Sequence, residues 1–132
     1  MQNAAAKLIC KLPKHSSVTK AIEDLYWFCV KERCVYKILL IVYKRFSYTS
    51  PSFLNSLLEI SNLDTRKLKH TYYNTKHGRR AFSYTAPRLW NKLPLHMRTE
   101  ESIVTFKKNL KTYLFTTANA REIIKAIQPY TE

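Results

Sequence analysis

Residues 30–47 constrain the fold more than any other stretch of this chain. Apolar side chains recur there at helical spacing, at Cys34, Val35, Ile38, Leu39, Val42 and Phe46. Arg33, Lys37 and Lys44 leave only a narrow polar strip. A helix that is apolar over most of its circumference has to be covered by other helices on several sides. We therefore expect residues 30–47 to form the central helix of a bundle.

The segments that flank this helix predict shorter helices around it. In residues 2–12 the apolar line consists of Ala4, Leu8 and Leu12, with Ala5 and Ile9 beside it and Lys7 and Lys11 left for solvent. Thr19 caps a helix through residue 26 whose inward side chains are Ala21, Ile22 and Leu25. Ser50 and Pro51 start a short helix that holds Phe53, Leu54, Leu57 and Leu58.

The second half of the chain begins at Gly78, the only glycine. We expect Gly78 to act as a hinge, because glycine enters left-handed backbone geometry without steric cost. A short helical segment follows, in which Phe82 and Trp90 are predicted core residues. The last clear helix starts after Thr99 with Glu100 and Glu101 in its first turn. Its buried stripe is Ile103, Phe106, Leu110, Tyr113 and Leu114.

Together these segments predict an all-α fold, an irregular bundle of five or six helices with a basic loop in the middle. A chain of 132 residues is long enough for one core, so one domain is expected. Within residues 1–115, residues 1–58 are the first helical half, residues 59–77 an exposed basic connecting loop, and residues 78–115 the second half. Residues 116–132 are a tail in which Ile123, Ile124 and Ile127 favour a further helical stretch.

The charge of the chain points to a polyanionic partner. Its 23 Lys and Arg residues exceed 9 Asp and Glu residues, which gives a formal net charge of +14. RNA or DNA is the first candidate partner and an anionic membrane surface the second. Because the longest apolar run, residues 38–43, is far below the roughly 20 residues that span a bilayer, no membrane span is expected. The lysine-bearing start of the chain also fits an organelle transit peptide in part.

An acid-free stretch from Thr65 to Thr99 is the strongest signal for nucleic-acid binding. Its cations would track phosphates, and the aromatics set among them, such as Tyr72 and Tyr84, could stack on unpaired bases. The alternative is that the aromatics belong to the core and the cations are its solvated side. The predicted nucleic-acid-binding residues are Arg66, Lys67, Lys69, Lys76, Arg79, Arg80, Arg88, Lys92, Lys107, Lys108 and Lys111.

No catalytic, metal or cofactor site is predicted. The two aspartates, Asp24 and Asp64, are far apart, whereas two-metal catalysis needs a cluster of carboxylates. A single glycine leaves room for neither a phosphate loop nor a dinucleotide fingerprint. Cys10, Cys29 and Cys34 form no CxxC pair, so we expect small buried apolar residues rather than a disulfide framework or a zinc knuckle.

Several short motifs in one order carry a family resemblance. Residues 80–83 (Arg-Ala-Phe-Ser) and 86–94 (Ala-Pro-Arg-Leu-Trp-Asn-Lys-Leu-Pro) are followed by residues 106–107 (Phe-Lys) and 110–115 (Leu-Lys-Thr-Tyr-Leu-Phe). With residues 2–9 and 30–33, this series resembles the C-terminal region, after the polymerase palm and thumb, of jockey-like non-LTR (LINE) retrotransposon reverse transcriptases.

The resemblance implies a fragment of an RNA-directed DNA polymerase that lacks the polymerase carboxylate motif on this chain. The parent protein would carry the chemistry upstream of Met1, and the fragment would help to hold RNA template or nicked target DNA during target-primed reverse transcription. The implied location is the nucleus or the cytoplasm. Two alternatives stay open: a helical protein-interaction module that binds an acidic protein or the upstream polymerase domain, and an inert remnant of a decayed element.

Overall fold

The computed structural model describes residues 1–25, 27 and 30–116 of the chain. Helices predominate in this part, and the mainly α class is confirmed. The helices are α1 (Gln2–Ile9), α2 (Thr19–Asp24), α3 (Val30–Phe46), α4 (Leu54–Leu57), α5 (Phe82–Asn91), α6 (Leu95–Arg98) and α7 (Ile103–Phe115). Two of them, α4 and α6, are single turns of four residues, and the other five are longer. The predicted tail helix lies outside the described residues.

Helix α3 is the centre of the main core, as its apolar spacing predicts. Val35, Leu39 and Val42 are fully buried, and Phe46 is buried at the end of the helix. Cys34 was expected on the same side but is exposed, because α3 turns its residues 34, 37, 41 and 44 toward solvent. With Cys10 only half-buried, the prediction of buried cysteines is wrong for both cysteines that the structure describes.

Aromatic rings from three helices stack at the middle of this core. Tyr43 of α3 lies 4.2 Å from Phe106 of α7, measured between ring centres. Trp90 of α5 lies 5.9 Å from Phe106 and 5.4 Å from Phe46. Stacked and tilted rings at these separations add to the large apolar area that each ring removes from water. The predicted burial of Trp90 and of Phe106, Leu110 and Leu114 on α7 is confirmed.

The connection between the two helical halves differs from the exposed loop that the sequence predicts. It contains an antiparallel pair of strands, β1 (Ile60–Asn62) and β2 (Lys67–Leu68), in which Ile60 pairs with Leu68. Leu68 is buried against the main core. Successive side chains of a strand point to opposite faces, so Leu68 faces the core while Lys67 and Lys69 face solvent.

Helices α1 and α2 form a second, smaller core. Ala6, Ala21 and Ile22 are buried in it, with Leu12, Leu25 and other partly buried side chains packed around them. The inward face predicted for α2 is confirmed. The prediction for the first helix is wrong in two respects. The helix ends at Ile9 rather than at residue 12, and Leu8, which was predicted to lie on the apolar face, is 81% exposed.

Two helix starts also differ from prediction. Helix α7 begins with Ser102 as its N-cap, whose side chain accepts a hydrogen bond from the Thr105 amide, so Glu100 and Glu101 precede the helix rather than fill its first turn. Glu100 instead accepts a hydrogen bond from the Ser102 amide with its own carboxylate, at 3.2 Å. Helix α4 starts after Phe53 rather than after Ser50, and it buries Leu54 but exposes Phe53.

Candidate nucleic-acid interface

Helix α5 presents an arginine between two tyrosines. Tyr84 and Arg88 are four residues apart on α5 and therefore neighbours on its surface. The guanidinium carbon of Arg88 lies 4.1 Å from the centre of the Tyr84 ring and 5.9 Å from that of Tyr72. Both distances are within the range of a cation–π contact. Tyr72 is 81% exposed, so its ring is available to a ligand.

Tyr73 connects this arrangement to the short 3-10 helix Gly78–Arg80 that precedes α5. Its ring lies 6.2 Å from that of Tyr84, and its hydroxyl is 2.8 Å from the Ser83 hydroxyl. Arg79 donates a hydrogen bond from Nε to the carbonyl oxygen of Tyr73 at 3.2 Å. We refer to Tyr72, Tyr73, Arg79, Tyr84 and Arg88 as the tyrosine–arginine cluster.

Gly78 matters to the cluster for a different reason from the predicted one. It does not adopt a left-handed backbone conformation, because no glycine in the chain has positive φ. A Cβ atom at this position would instead lie 2.6 Å from Cβ and 2.9 Å from Cγ of Tyr73. The absence of a side chain thus lets the 3-10 helix approach Tyr73 closely.

Positive charge and burial shape the electrostatics around Arg88. Its Nε is buried and has no hydrogen-bond partner within the described part of the chain. Partial burial of the largely exposed His70, and then the nearby charge of Arg88, lower its pKa. His70 Nε2 is 3.4 Å from Nδ2 of Asn91 at the end of α5. The lowered pKa favours the neutral form of His70 beside the charged Arg88.

Asn91 fixes β2 to α5 and thereby sets the position of the segment that carries Tyr72. Its Oδ1 accepts a hydrogen bond from the Leu68 amide at 3.0 Å, and its Nδ2 donates one to the Leu68 carbonyl at 2.8 Å. The amide side chain thus satisfies both backbone groups of Leu68, a buried residue of β2. Sequence reasoning missed Asn91 and His70, for neither carries a local signal. The four-residue spacing of Tyr84 and Arg88 was the signal that could have identified that pair.

Other predicted cations lie near the cluster along the chain. Arg80 follows Arg79 in the 3-10 helix and is exposed. Lys92 is exposed at the C-cap of α5, one helical turn after Arg88. Lys76 is exposed in the segment between Tyr73 and Gly78.

Two more predicted cations belong to the hairpin. Lys67 on β2 and Lys69 just after it are exposed, and Lys69 forms an ion pair with Glu59 at 3.2 Å.

Arg66 has a structural environment. It adopts positive φ, and its carbonyl oxygen accepts a hydrogen bond from the Trp90 indole at 2.6 Å. Its Nη1 donates to the carbonyl oxygens of Arg98 and Glu100, at 3.1 and 3.2 Å. The guanidinium lies 6.0 Å from the centre of the Phe46 ring. These contacts tie the hairpin to α5, to the end of α6 and to the segment that precedes α7, so Arg66 is engaged in packing.

Arg98 is a second arginine with a structural setting. The residue is only 6% exposed, and its Nε and Nη1 have no hydrogen-bond partner within the described residues. Burial lowers its pKa.

The remaining predicted cations, Lys107, Lys108 and Lys111, are exposed on α7, the helix that packs on α3 through Phe106. They form a basic face on a different helix from the tyrosine–arginine cluster.

Comparison of the chain with protein-family models, with curated proteins and with solved structures found no match. Within the described ranges, no helix has the length and apolar character needed to cross a bilayer. The same part of the chain brings no three His, Cys, Asp or Glu side chains together in a way that could hold a metal ion.

Proposed function

We propose that the chain binds single-stranded RNA or DNA through the tyrosine–arginine cluster and the cations beside it. The observation that supports this proposal is an exposed Tyr72 ring next to Arg88, in a stretch of 35 residues from Thr65 to Thr99 without any acid. Aromatic rings stack on unpaired bases of any identity, and cations along the same surface contact phosphates. Binding of this kind is weak, strongly salt-dependent and independent of sequence.

The family resemblance gives this binding a biological setting. As part of a non-LTR retrotransposon reverse transcriptase, the chain would hold the RNA template or the nicked target DNA during target-primed reverse transcription. The polymerase chemistry would belong to another part of the parent protein, and this chain would be a non-catalytic binding piece in the nucleus or the cytoplasm. The residues that would contact phosphate most directly are Arg80, Lys92 and Lys76, because they are exposed and lie close to the cluster residues along the chain.

Charge reversal tests the proposal on exposed side chains alone. The test variant combines Lys76→Glu, Arg80→Glu and Lys92→Glu, and the control combines Lys20→Glu, Lys31→Glu and Lys37→Glu, three exposed lysines on α2 and α3. Both variants change the net charge equally. Affinity for a fluorescein-labelled oligouridylate is measured at several salt concentrations. We expect the test variant to bind more weakly and to lose about 2 from the slope of log K against log salt, since each phosphate contact to a single strand contributes about 0.7.

The control variant keeps its slope in this experiment if the contacts are local. Equal losses in the two variants would show that net charge alone draws RNA to the chain, and the proposed interface would be wrong. Polyglutamate, an acidic polypeptide without bases, distinguishes nucleic-acid binding from binding to an acidic protein. If polyglutamate binds as tightly as oligouridylate and responds to the same three changes, the basic surface is a site for acidic proteins instead.

A further inference from the structure

The lobe formed by α1 and α2 has an apolar surface that the described part of the chain leaves uncovered. Helix α1 packs on α2 through Ala6, which is fully buried. Leu8 and Ile9 at the end of α1 are exposed instead. Exposed large apolar side chains that lie together with charges around them are typical of interaction sites.

Leu8 lines an open groove of about 550 Å³. The residues that line it are Ala4, Lys7, Leu8, Lys11, Leu12 and Lys14. Three of these are apolar and three are lysines. Ile9, although exposed, is not among them, so the two neighbouring apolar residues have different surroundings.

The chain builds this groove by folding back after α1. Lys11 adopts positive φ, and the Leu12 amide donates a hydrogen bond to the Lys7 carbonyl at 2.9 Å. The Lys7 ammonium in turn donates to the carbonyl oxygen of Lys14. These contacts hold Leu12 and the lysines beside the last turn of α1, so the groove is part of the folded lobe.

We propose that this groove docks an acidic amphipathic helix of a partner protein. Ala4 and Leu8 are four residues apart and form a ridge of the kind that packs into the grooves of a second helix. The small Ala4 side chain lets the partner helix approach closely, while Leu8 and Leu12 offer apolar area. This is the helix-in-groove mode of recognition, in which apolar residues at helical spacing supply the affinity.

Charge complementarity predicts that the partner helix is negatively charged. Lys7, Lys11 and Lys14 surround the apolar floor, and residues 1–22 contain no Asp or Glu. Glutamates or aspartates that flank the leucines of the partner helix would meet these lysines and orient the helix. A basic partner would be repelled. This surface is separate from the tyrosine–arginine cluster in composition and in chain position.

A pair of designed peptides tests the apolar and the electrostatic parts together. One fluorescein-labelled peptide of about four helical turns carries leucines at helical spacing and glutamates elsewhere. The other has the same glutamates but serines in place of the leucines. We expect the leucine peptide to bind the full chain at least about tenfold more tightly, since burying one leucine contributes that much or more. Equal binding of the two peptides would overturn the proposal, because charge alone would then explain the contact.

Matched variants locate the contact in the groove. Leu8→Ser is expected to weaken binding of the leucine peptide by about tenfold, whereas Ile9→Ser leaves it unchanged. Lys14→Glu weakens it as well, and Lys20→Glu, an exposed lysine of α2 outside the groove, does so less. The same effect from Leu8→Ser and Ile9→Ser would contradict the assignment of the groove.

Two further measurements separate this proposal from its competitors. Vesicles that contain phosphatidylserine serve as the membrane probe. If Leu8→Ser abolishes vesicle binding and leaves peptide binding unchanged, the groove is a membrane contact and the proposal is wrong. Affinity for oligouridylate is expected to be the same in Leu8→Ser as in the unchanged chain. Failure of RNA binding would therefore refute the proposed nucleic-acid function without affecting the docking of an acidic helix, and the reverse also holds.

Discussion

The guanidinium carbon of Arg88 lies 4.1 Å from the centre of the Tyr84 ring, one helical turn before it on α5. The same guanidinium is 5.9 Å from the Tyr72 ring, which belongs to the connection between β2 and the 3-10 helix. Arg88 thus joins a helix to a segment that is distant in sequence and keeps Tyr72 next to a fixed positive charge. This relationship creates an exposed aromatic ring with a cation beside it.

Loss of the exposed ring should weaken nucleic-acid binding without harming the fold. Tyr72→Ala is expected to cost about 1–3 kcal/mol of binding free energy to oligouridylate, the usual value for one stacked base. Tyr48→Ala is the matched control, since Tyr48 is 84% exposed but follows α3, away from the cluster in sequence. Fluorescence anisotropy measures both. Similar affinities for the two variants would remove Tyr72 from the interface.

A methyl group at position 78 should destabilise the chain through a clash. Gly78→Ala would place its Cβ 2.6 Å from that of Tyr73, and overpacking of this kind typically costs about 1–3 kcal/mol. Urea unfolding measures the loss. Because the clash involves Tyr73 itself, Gly78→Ala should cost less in a Tyr73→Gly background than in the unchanged chain. An equal cost in both backgrounds would mean that the backbone conformation, and not Tyr73, excludes a side chain here.

Asn91 should matter to stability out of proportion to its size. Asn91→Ala leaves the amide and the carbonyl of the buried Leu68 without their side-chain partner, and one such buried group costs about 1–3 kcal/mol. Asn55→Ala, at an exposed position of α4, should change the free energy of unfolding by less than about 0.5 kcal/mol. Thermal or urea unfolding of the two variants provides the comparison, and equal small effects would show that water replaces the Asn91 side chain.

Stability should fall in mild acid because of His70. Its pKa is lowered in the folded chain, first by partial burial and then by the charge of Arg88. The unfolded chain consequently binds a proton at His70 more readily, and the free energy of unfolding decreases as the pH drops from the ordinary histidine pKa toward the lowered one. Unfolding curves at a series of pH values should show that the free energy of unfolding of His70→Gln decreases less, as the pH falls, than that of the unchanged chain. Parallel pH profiles of the two proteins would contradict this assignment.

Replacement of the buried Arg98 by an apolar residue should not weaken the fold. Two of its side-chain nitrogens are buried without a hydrogen-bond partner in the described residues, and burial lowers its pKa. Since buried nitrogens without hydrogen-bond partners are unfavourable, Arg98→Met is expected to leave the free energy of unfolding unchanged or to raise it by about 1–2 kcal/mol. A clear destabilisation by Arg98→Met would reveal that the guanidinium has a stabilising partner.

The nature of the helices was readable from the sequence because apolar periodicity is a local property. The spacing of Val35, Leu39 and Val42 predicted the buried face of α3, and that of Phe106, Leu110 and Leu114 predicted the face of α7. Trp90 was assigned to the core from its size and its place near a helix end. The mainly α class follows from these elements. The same reasoning predicts that Cys34 is buried, but Cys34 is exposed. Apolar periodicity does not show how much of the surface of a central helix its neighbours leave exposed to solvent.

Other features depended on contacts between residues that are distant in sequence. Arg66 resembled any other cation of the basic stretch, but the fold uses its carbonyl oxygen and its guanidinium to join the hairpin to Trp90, to the end of α6 and to the segment before α7. Gly78 was predicted to supply a left-handed turn, and in the structure it supplies space for Tyr73.

The sequence by itself determined that the chain is mainly helical and which faces of α3 and α7 are buried, and its net charge predicts a partner that carries negative charge. Only the tertiary structure decided which cations meet an aromatic ring and which become part of the packing. The physical reason is that apolar periodicity along a helix or strand indicates only which of its faces is buried on average. The environment of a particular guanidinium, such as that of Arg88 or Arg66, is set by the other elements that the fold brings against it.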